Sequence, residues 1–496
     1  MIPAGALSSP TRITIGQVSG ATGLPGDGLV AELGPTGTVF SVPVSVTLRY
    51  WPQYLATNGI TDPATLKVVS IGSGTANETL RTVAQDTIQN AITVQTTHLG
   101  RFGVAGYTLA SLSGDYAFNF SILDARFGPP VQIGINVPAT PYNSMVSVPF
   151  PEYAFRDEQG TVTFDGAGNY SWSATRNVAG TTTPVSGSGQ YTVTADGTMA
   201  LDFGVVGTVL AGGSTFVLAA TAGVPVIEMG VGVKKGGTFD NASFNGSYAV
   251  ALYYSDATAG PSSTINLDVT KTPYNNTFTV PFPGYALNSE LRTMTFDGAG
   301  NYTWSGIRNT GGASSPTSGS GTYALASDGT LTLDTGLAGN VLAGGSTFIL
   351  ATSGGRVEMG VGLRKGGTFS NASLGGRYAV AYHYSDASAG PANTITINIP
   401  GTPYRNSLDV PFPAYAFNSE VRSITFDGAG SYGWSGTRNK GGVSGATSGS
   451  GSYSVAADGT LTLDTRLAGN VLEGGSTFIL APTNAQAVQI GVGVLR

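Results

Sequence analysis

The stretch Thr163-Phe164-Asp165-Gly166-Ala167-Gly168 returns as Thr295–Gly300 and again as Thr425–Gly430, offset by 132 and then 130 residues. Phe alternates with Thr before an Asp-Gly step, the pattern of a half-buried strand entering a tight turn. Asp bonds its own backbone in such turns, and Gly accepts the left-handed angles they require. After the turn, Tyr170 and Trp172, Tyr302 and Trp304, and Tyr432 and Trp434 resume the two-residue period. The chain thus contains one β-hairpin written three times.

Outward from that hairpin the flanks repeat as well, giving copies at 112–236, 244–366 and 374–496. Each opens with Gly-x-Tyr-Ala (Gly114, Gly246, Gly376) and passes through Thr-Pro-Tyr (Thr140, Thr272, Thr402) and Val-Pro-Phe-Pro (Val148, Val280, Val410). Later come Ser-Gly-Ser-Gly-x-Tyr, Asp-Gly-Thr, Gly-Gly-Ser-Thr-Phe and a closing Gly-Val-Gly at Gly230, Gly360 and Gly491. The period is far longer than the ~20–50 residues of a solenoid unit, so each copy is a domain with its own core. In the third copy Ser452–Val455 meets Leu461–Leu463 across Asp458-Gly459, and Ser476–Leu480 and Val488–Val494 follow. Counting the opening strand gives about eight antiparallel strands, with apolar and Ser/Thr residues alternating so that one face packs and the other meets solvent. A closed up-and-down barrel leaves no free edge; a two-sheet sandwich is the alternative. The expected fold class is all-β: an N-terminal β-sandwich over 1–108 and then three tandem barrel-like domains. Short connections such as Lys235–Ser243 carry one aromatic, and a semi-rigid rod of four beads is expected.

Composition agrees. Of 496 residues only 10% are charged, 41% are hydrophobic, and there are 73 Gly, 22 Tyr and 21 Phe. That excludes a disordered chain and suits short strands joined by glycine turns. The net charge of −6, without clusters of Lys or Arg, excludes a nucleic-acid partner. No apolar run reaches the length of a membrane-spanning helix, and the aromatic girdles of a membrane barrel are missing. There are no cysteines. Low charge with abundant Gly, Ser and Thr points to an exported bacterial protein at the cell surface or outside the cell. Met1 runs straight into Ile2-Pro3-Ala4-Gly5-Ala6-Leu7, without a basic and then apolar leader, so an export signal is expected upstream.

In the first 108 residues, strands are expected at Arg12–Gly16, Val39–Tyr50, Leu66–Ser70 and Ala91–Gln95. Phe40, Val42, Val44, Val46 and Leu48 fall on one face, and Pro43 should sit at a bulge or edge. Ile2–Leu7, Gly34–Phe40, Pro43 with the strand to Tyr50, and His98 occur here in the order found in the ZU5-like β-sandwich domain, which this segment resembles. The resemblance implies a sandwich lacking its first strands. Some such domains cleave themselves at His-Phe-Ser; His98-Leu99-Gly100 lacks the nucleophile, so cleavage is not expected. The repeats resemble the glycine-rich β-repeat of exported bacterial proteins, which brings no single activity with it.

An activity encoded in the repeat should occur three times. Asp165, Asp297 and Asp427 with Asn169 and Asn301 could suggest a calcium loop, but Ser431 breaks the set and no closing glutamate follows. Glu158, Glu290 and Glu420 recur, as do Asp202, Asp334 and Asp464, whereas Glu228 and Glu358 become Gln489. His383 corresponds to Ser121 and Tyr253, and is expected among exposed tyrosines on an outer strand face. No catalytic residue, metal ligand or cofactor is therefore expected. Trp172, Trp304 and Trp434 share parity with the preceding Phe and are expected in the core. Binding candidates are Tyr142, Tyr274 and Tyr404 in the Thr-Pro-Tyr turns, Tyr153, Tyr285 and Tyr415 after Pro-Phe-Pro, and Arg176, Arg308 and Arg438. A tyrosine offers a flat apolar face and a hydroxyl, suited to sugar rings or protein surfaces. Loop tyrosines that merely cap the barrel ends are the plainer reading. Expected partners are glycans or other surface proteins, with self-association open to the chain. An apolar-ligand carrier would need a roomy barrel, which the inward aromatics oppose.

Overall fold

The computed structural model describes residues 2–18, 30–58, 60–71, 78–127, 131–136, 143–148, 151–178, 181–210, 212–221, 226–268, 275–310, 313–352, 357–389, 393–398, 405–410, 413–440, 443–482 and 487–496. Within 123–154, 256–286 and 386–416, and at 78, 226, 227, 357 and 487, the description is of the backbone.

The N-terminal region holds two sheets. Five strands, in spatial order Thr14–Val18, Val30–Gly34, Arg101–Ala105, Lys67–Ile71 and Glu78–Leu80, form one; Val39–Arg49, Ala91–His98 and Thr82–Asp86 form the other. Phe40, Val44 and Leu48 enter a shared core with Val68, Ile92 and Phe102. Val42 does not: the register with Ala91–His98 shifts between Val39 and Val44, where Pro43 cannot donate, and Val42 stays exposed.

Each repeat closes into an eight-stranded barrel in sequence order. In the first the strands are Ser113–Phe127, Pro151–Asp165, Asn169–Val178, Thr181–Val193, Thr198–Leu201, Val205–Val209, Thr215–Ala220 and Val226–Lys234, the last pairing back onto the first. Aromatic side chains fill the interior in the same way each time. Phe164 meets Tyr191 at 4.9 Å, Phe296 meets Tyr323 at 5.0 Å, and Phe426 meets Tyr453 at 4.8 Å between ring centroids. Trp172, Trp304 and Trp434 pack, partly buried, against these cores. The short strands coil tightly: a Cβ on Gly339 would lie 1.7 Å from the Ile349 carbonyl oxygen, so only glycine fits there.

The first two strands of every barrel continue past its rim as a hairpin. Val131–Asn136 pairs with Asn143–Val148, and Asn393–Asn398 with Arg405–Val410; in the second barrel the unbroken strands Asn245–Asp268 and Asn275–Asp297 serve the same purpose. Strands alternate in direction, so all three hairpins leave one end, while the inter-repeat connections and the N-terminal region lie at the other.

The expected rod is corrected. The three barrels pack side by side in a closed ring, each touching both others. Between the first and second, Thr352 Oγ1 donates to Asp157 at 2.9 Å, and Asn177 contacts Thr352 at 3.1 Å. Between the second and third, Tyr253 meets the His383 ring at 4.6 Å. Between the third and first, Phe155 meets Phe417 at 5.5 Å and Ser419 Oγ donates to Ala220 O at 2.6 Å. One head-to-tail interface is used around the ring. Lys365 Nζ, ending the second repeat, reaches Asp458 of the third at 3.1 Å, and Arg496, ending the third, reaches Asp196 of the first at 3.4 Å. Asp328 is held below the usual carboxylate range by hydrogen bonds from Thr330 and, further, by Lys235 at the end of the first repeat. The physical cause is apolar surface on the outside of the barrels: Thr215–Ala220, Thr347–Thr352 and Thr477–Pro482 are buried on both faces. A rod would leave one of those faces in water.

Candidate functional site

Tyr142, Tyr274 and Tyr404 lie outside the described residues. Tyr153, Tyr285 and Tyr415 lie within strands, not loops, opposite Ala125, Ala257 and Ala387 in register.

Arg176, Arg308 and Arg438 face into the barrels. Each stands opposite a glutamate of the neighbouring strand: Arg176 Nε is 2.6 Å from Glu158, Arg438 Nε is 3.5 Å from Glu420, and Arg308 bonds Glu290. In the second and third barrels Arg292 and Arg422 join the same carboxylates and lie over Trp304 and Trp434 at 4.0 and 3.9 Å. Burial disfavours charge on Glu290, but Arg292, Tyr254 and Arg308 outweigh it and hold the carboxyl below its usual range. The first barrel has Gly160 in place of that second arginine. There Glu228 is pushed up to about 8 by burial, with repulsion from Glu158 adding to it. The Glu–Arg pairing was legible in the sequence: counting six residues out from Phe164 and Tyr170 across the turn aligns Glu158 with Arg176.

The other recurring acids are structural. Asp165 accepts from the backbone of Ala167 and Asn169 at 2.7 and 3.0 Å, stiffening its turn. Asp202, Asp334 and Asp464 accept from Tyr170, Tyr302 and Tyr432 at 2.8, 3.0 and 3.0 Å. Among the described residues no three His, Asp or Glu side chains gather as a metal site, and no helix is long and apolar enough to cross a membrane.

His383 requires a correction. It is on an outer barrel face, but the neighbouring barrel covers it, leaving it 1% exposed. Neither ring nitrogen has a hydrogen-bond partner among the described residues, and burial lowers its pKa to about 4. Its repeat equivalents Ser121 and Tyr253 are buried too. Asp157, 1% exposed, is pushed up to about 7 by burial against hydrogen bonds from Thr352, Glu358 and Asn177.

All four modules meet at one place that composition and spacing did not reveal. Each Gly-Gly-Ser-Thr turn lies at the end of the ring facing the N-terminal region. It is pinned by the tyrosine of Gly-x-Tyr-Ala: Tyr116 donates to Gly213 O at 2.6 Å, Tyr248 to Gly345 O at 2.7 Å, and Tyr378 to Gly475 O at 2.6 Å. Gly213, Gly345 and Gly475 have φ of 66°, 72° and 74°, which favours glycine. The three turns, with Val39–Pro43 and Gln95–His98 above them, line an open cavity of about 950 Å³. Arg81 fastens the N-terminal region to the third repeat through Ala372 O. The signal was present in the sequence as two motifs repeated in step, but only the ring brings their three copies together.

No family model and no curated protein matches the chain. Among solved structures, it is similar at 8% identity to transferrin binding protein B of Neisseria meningitidis serogroup B, covering 87% of this chain and 84% of that one with a TM-score of 0.17. A double mutant of transferrin binding protein B from Haemophilus parasuis is similar at 8% identity over 99% of this chain and 98% of that one, with a TM-score of 0.13. Similarity at those scores assigns neither fold nor function.

Proposed function

We propose that this chain is a non-enzymatic structural or adhesive protein of the bacterial cell surface or extracellular space. The observation that carries the reading is the ring itself. The recurring Glu, Arg, Asp and Tyr side chains are engaged in holding turns, barrel interiors and seams together. What the repeats share is therefore architecture. Low charge and abundant Gly, Ser and Thr support export. The ZU5-like and glycine-rich-repeat resemblances remain part of this proposal. The test is attachment of the whole chain to immobilised bacterial envelopes and matrix preparations, alongside hydrolase and esterase screens. Saturable attachment without turnover supports the reading; turnover that tracks purified protein overturns it.

A second reading is a carbohydrate-binding array using Tyr142, Tyr274, Tyr404, Tyr153, Tyr285 and Tyr415. It is favoured by one geometric fact: the three hairpins leave the same end of the ring, with those of neighbouring repeats approaching one another. Weak sites so placed would gain by avidity. A glycan array comparing the intact chain with Tyr274→Ala decides it: no binding above background retires the reading.

A further inference from the structure

We propose that the cavity between the N-terminal region and the ring binds a short acidic, polyhydroxylated ligand, a carboxylated oligosaccharide by chemical class. The floor consists of near-identical hydroxyl pairs from three directions, and Ser214, Thr215, Thr347, Ser476 and Thr477 are almost wholly buried along it. Buried hydroxyls both donate and accept, which matches a sugar's own hydroxyls. The turns carrying them are held in place by the three tyrosine bonds, so little order must be imposed when a ligand arrives.

Among the described residues the lining carries Arg81, Arg364 and Lys365 against one carboxylate, that of Glu473, a local cationic excess on a chain of net charge −6. Lys365 is balanced by Asp458 at 3.1 Å. Among the described residues Arg81 bonds the backbone carbonyl of Ala372 and Arg364 that of Asn245, and each guanidinium has donors beyond that bond for a carboxylate. A peptide that would add to a strand edge is disfavoured here. Beside the cavity Ser41 N already donates to Ala6 O at 3.0 Å, so the N-terminal segment covers that edge. The volume lies within the range of small-molecule sites.

The experiment is calorimetric titration of the whole chain with tetragalacturonate, maltotetraose and tetraglutamate at two salt concentrations. Tetragalacturonate is expected to bind, with affinity falling at higher salt and maltotetraose at least ~10-fold weaker. Arg364→Glu, reversing the lip charge, and Ala343→Trp, filling the cavity, should each weaken it by ~10-fold or more, with circular dichroism confirming that both fold. Tyr274→Ala should leave it unchanged, which separates this proposal from the glycan-array reading. Absence of binding, equal binding of maltotetraose or tetraglutamate, or indifference to Ala343→Trp overturns the proposal.

Discussion

Asp157 gives the sharpest test of the ring. Its carboxyl sits in the seam between the first and second barrels, where Oδ2 accepts three hydrogen bonds and Oδ1 has no partner among the described residues. In the unfolded chain it ionises near 3.8; in the ring burial raises this to about 7. Between those values the folded state keeps a proton that the unfolded state has lost, so this group's contribution is present below the lower value and lost as pH rises through the upper one. The difference corresponds to at most about 4 kcal/mol, at about 1.4 kcal/mol per pH unit. Asp157→Asn keeps the shape and the accepting oxygen and cannot ionise. It should therefore stabilise the protein by about 2–4 kcal/mol at pH 8.5 and by only about 0.6 kcal/mol at pH 4. Urea denaturation followed by tryptophan fluorescence at both pH values measures it. A variant that is equally stable to wild type at pH 8.5, or weaker there than at pH 4, would refute the claim that the seam is dry.

Three further outcomes follow from the same geometry. His383 titrates near 6.5 when unfolded and about 4 in the ring, so stability is full above the first value and declines as pH falls toward the second, by about 3 kcal/mol. His383→Tyr, the residue of the second repeat, should flatten that acid limb in thermal melts between pH 7.5 and 4.5. Phe155→Ala and Phe417→Ala should each cost about 3–5 kcal/mol, with a coupling of about 0.5–1.5 kcal/mol in the double-mutant cycle; zero coupling would mean that the third barrel does not meet the first. Gly339→Ala places a methyl against the Ile349 carbonyl, and should unfold or markedly loosen the second barrel in hydrogen exchange.

Some of this could be read from the sequence alone. The triplicated Thr-Phe-Asp-Gly-Ala-Gly phrase contains its own turn and two strands, and local alternation gave the all-β class and the barrel strands because hairpin geometry is set by neighbours in sequence. Expected roles for Trp172, Trp304 and Trp434 followed from parity alone, and the Glu158–Arg176 register lay within reach of the same counting. The ring was not read from alternation, though one signal pointed to it. Thr215–Ala220 and its equivalents run apolar at successive positions, as strands covered on both faces do. Neither the rod nor an exposed His383 is compatible with that run.

What tertiary structure alone decided is which outer face meets which. A repeat's sequence fixes its own barrel through contacts between adjacent strands, so three copies yield three barrels whatever their arrangement. The seams join residues some 200 positions apart, such as Asp157 with Thr352 and Ser419 with Ala220, and no local pattern encodes such a pairing. The cavity follows the same rule: every repeat carries its pinned turn, but a shared chamber exists only once three turns converge under the N-terminal sheets.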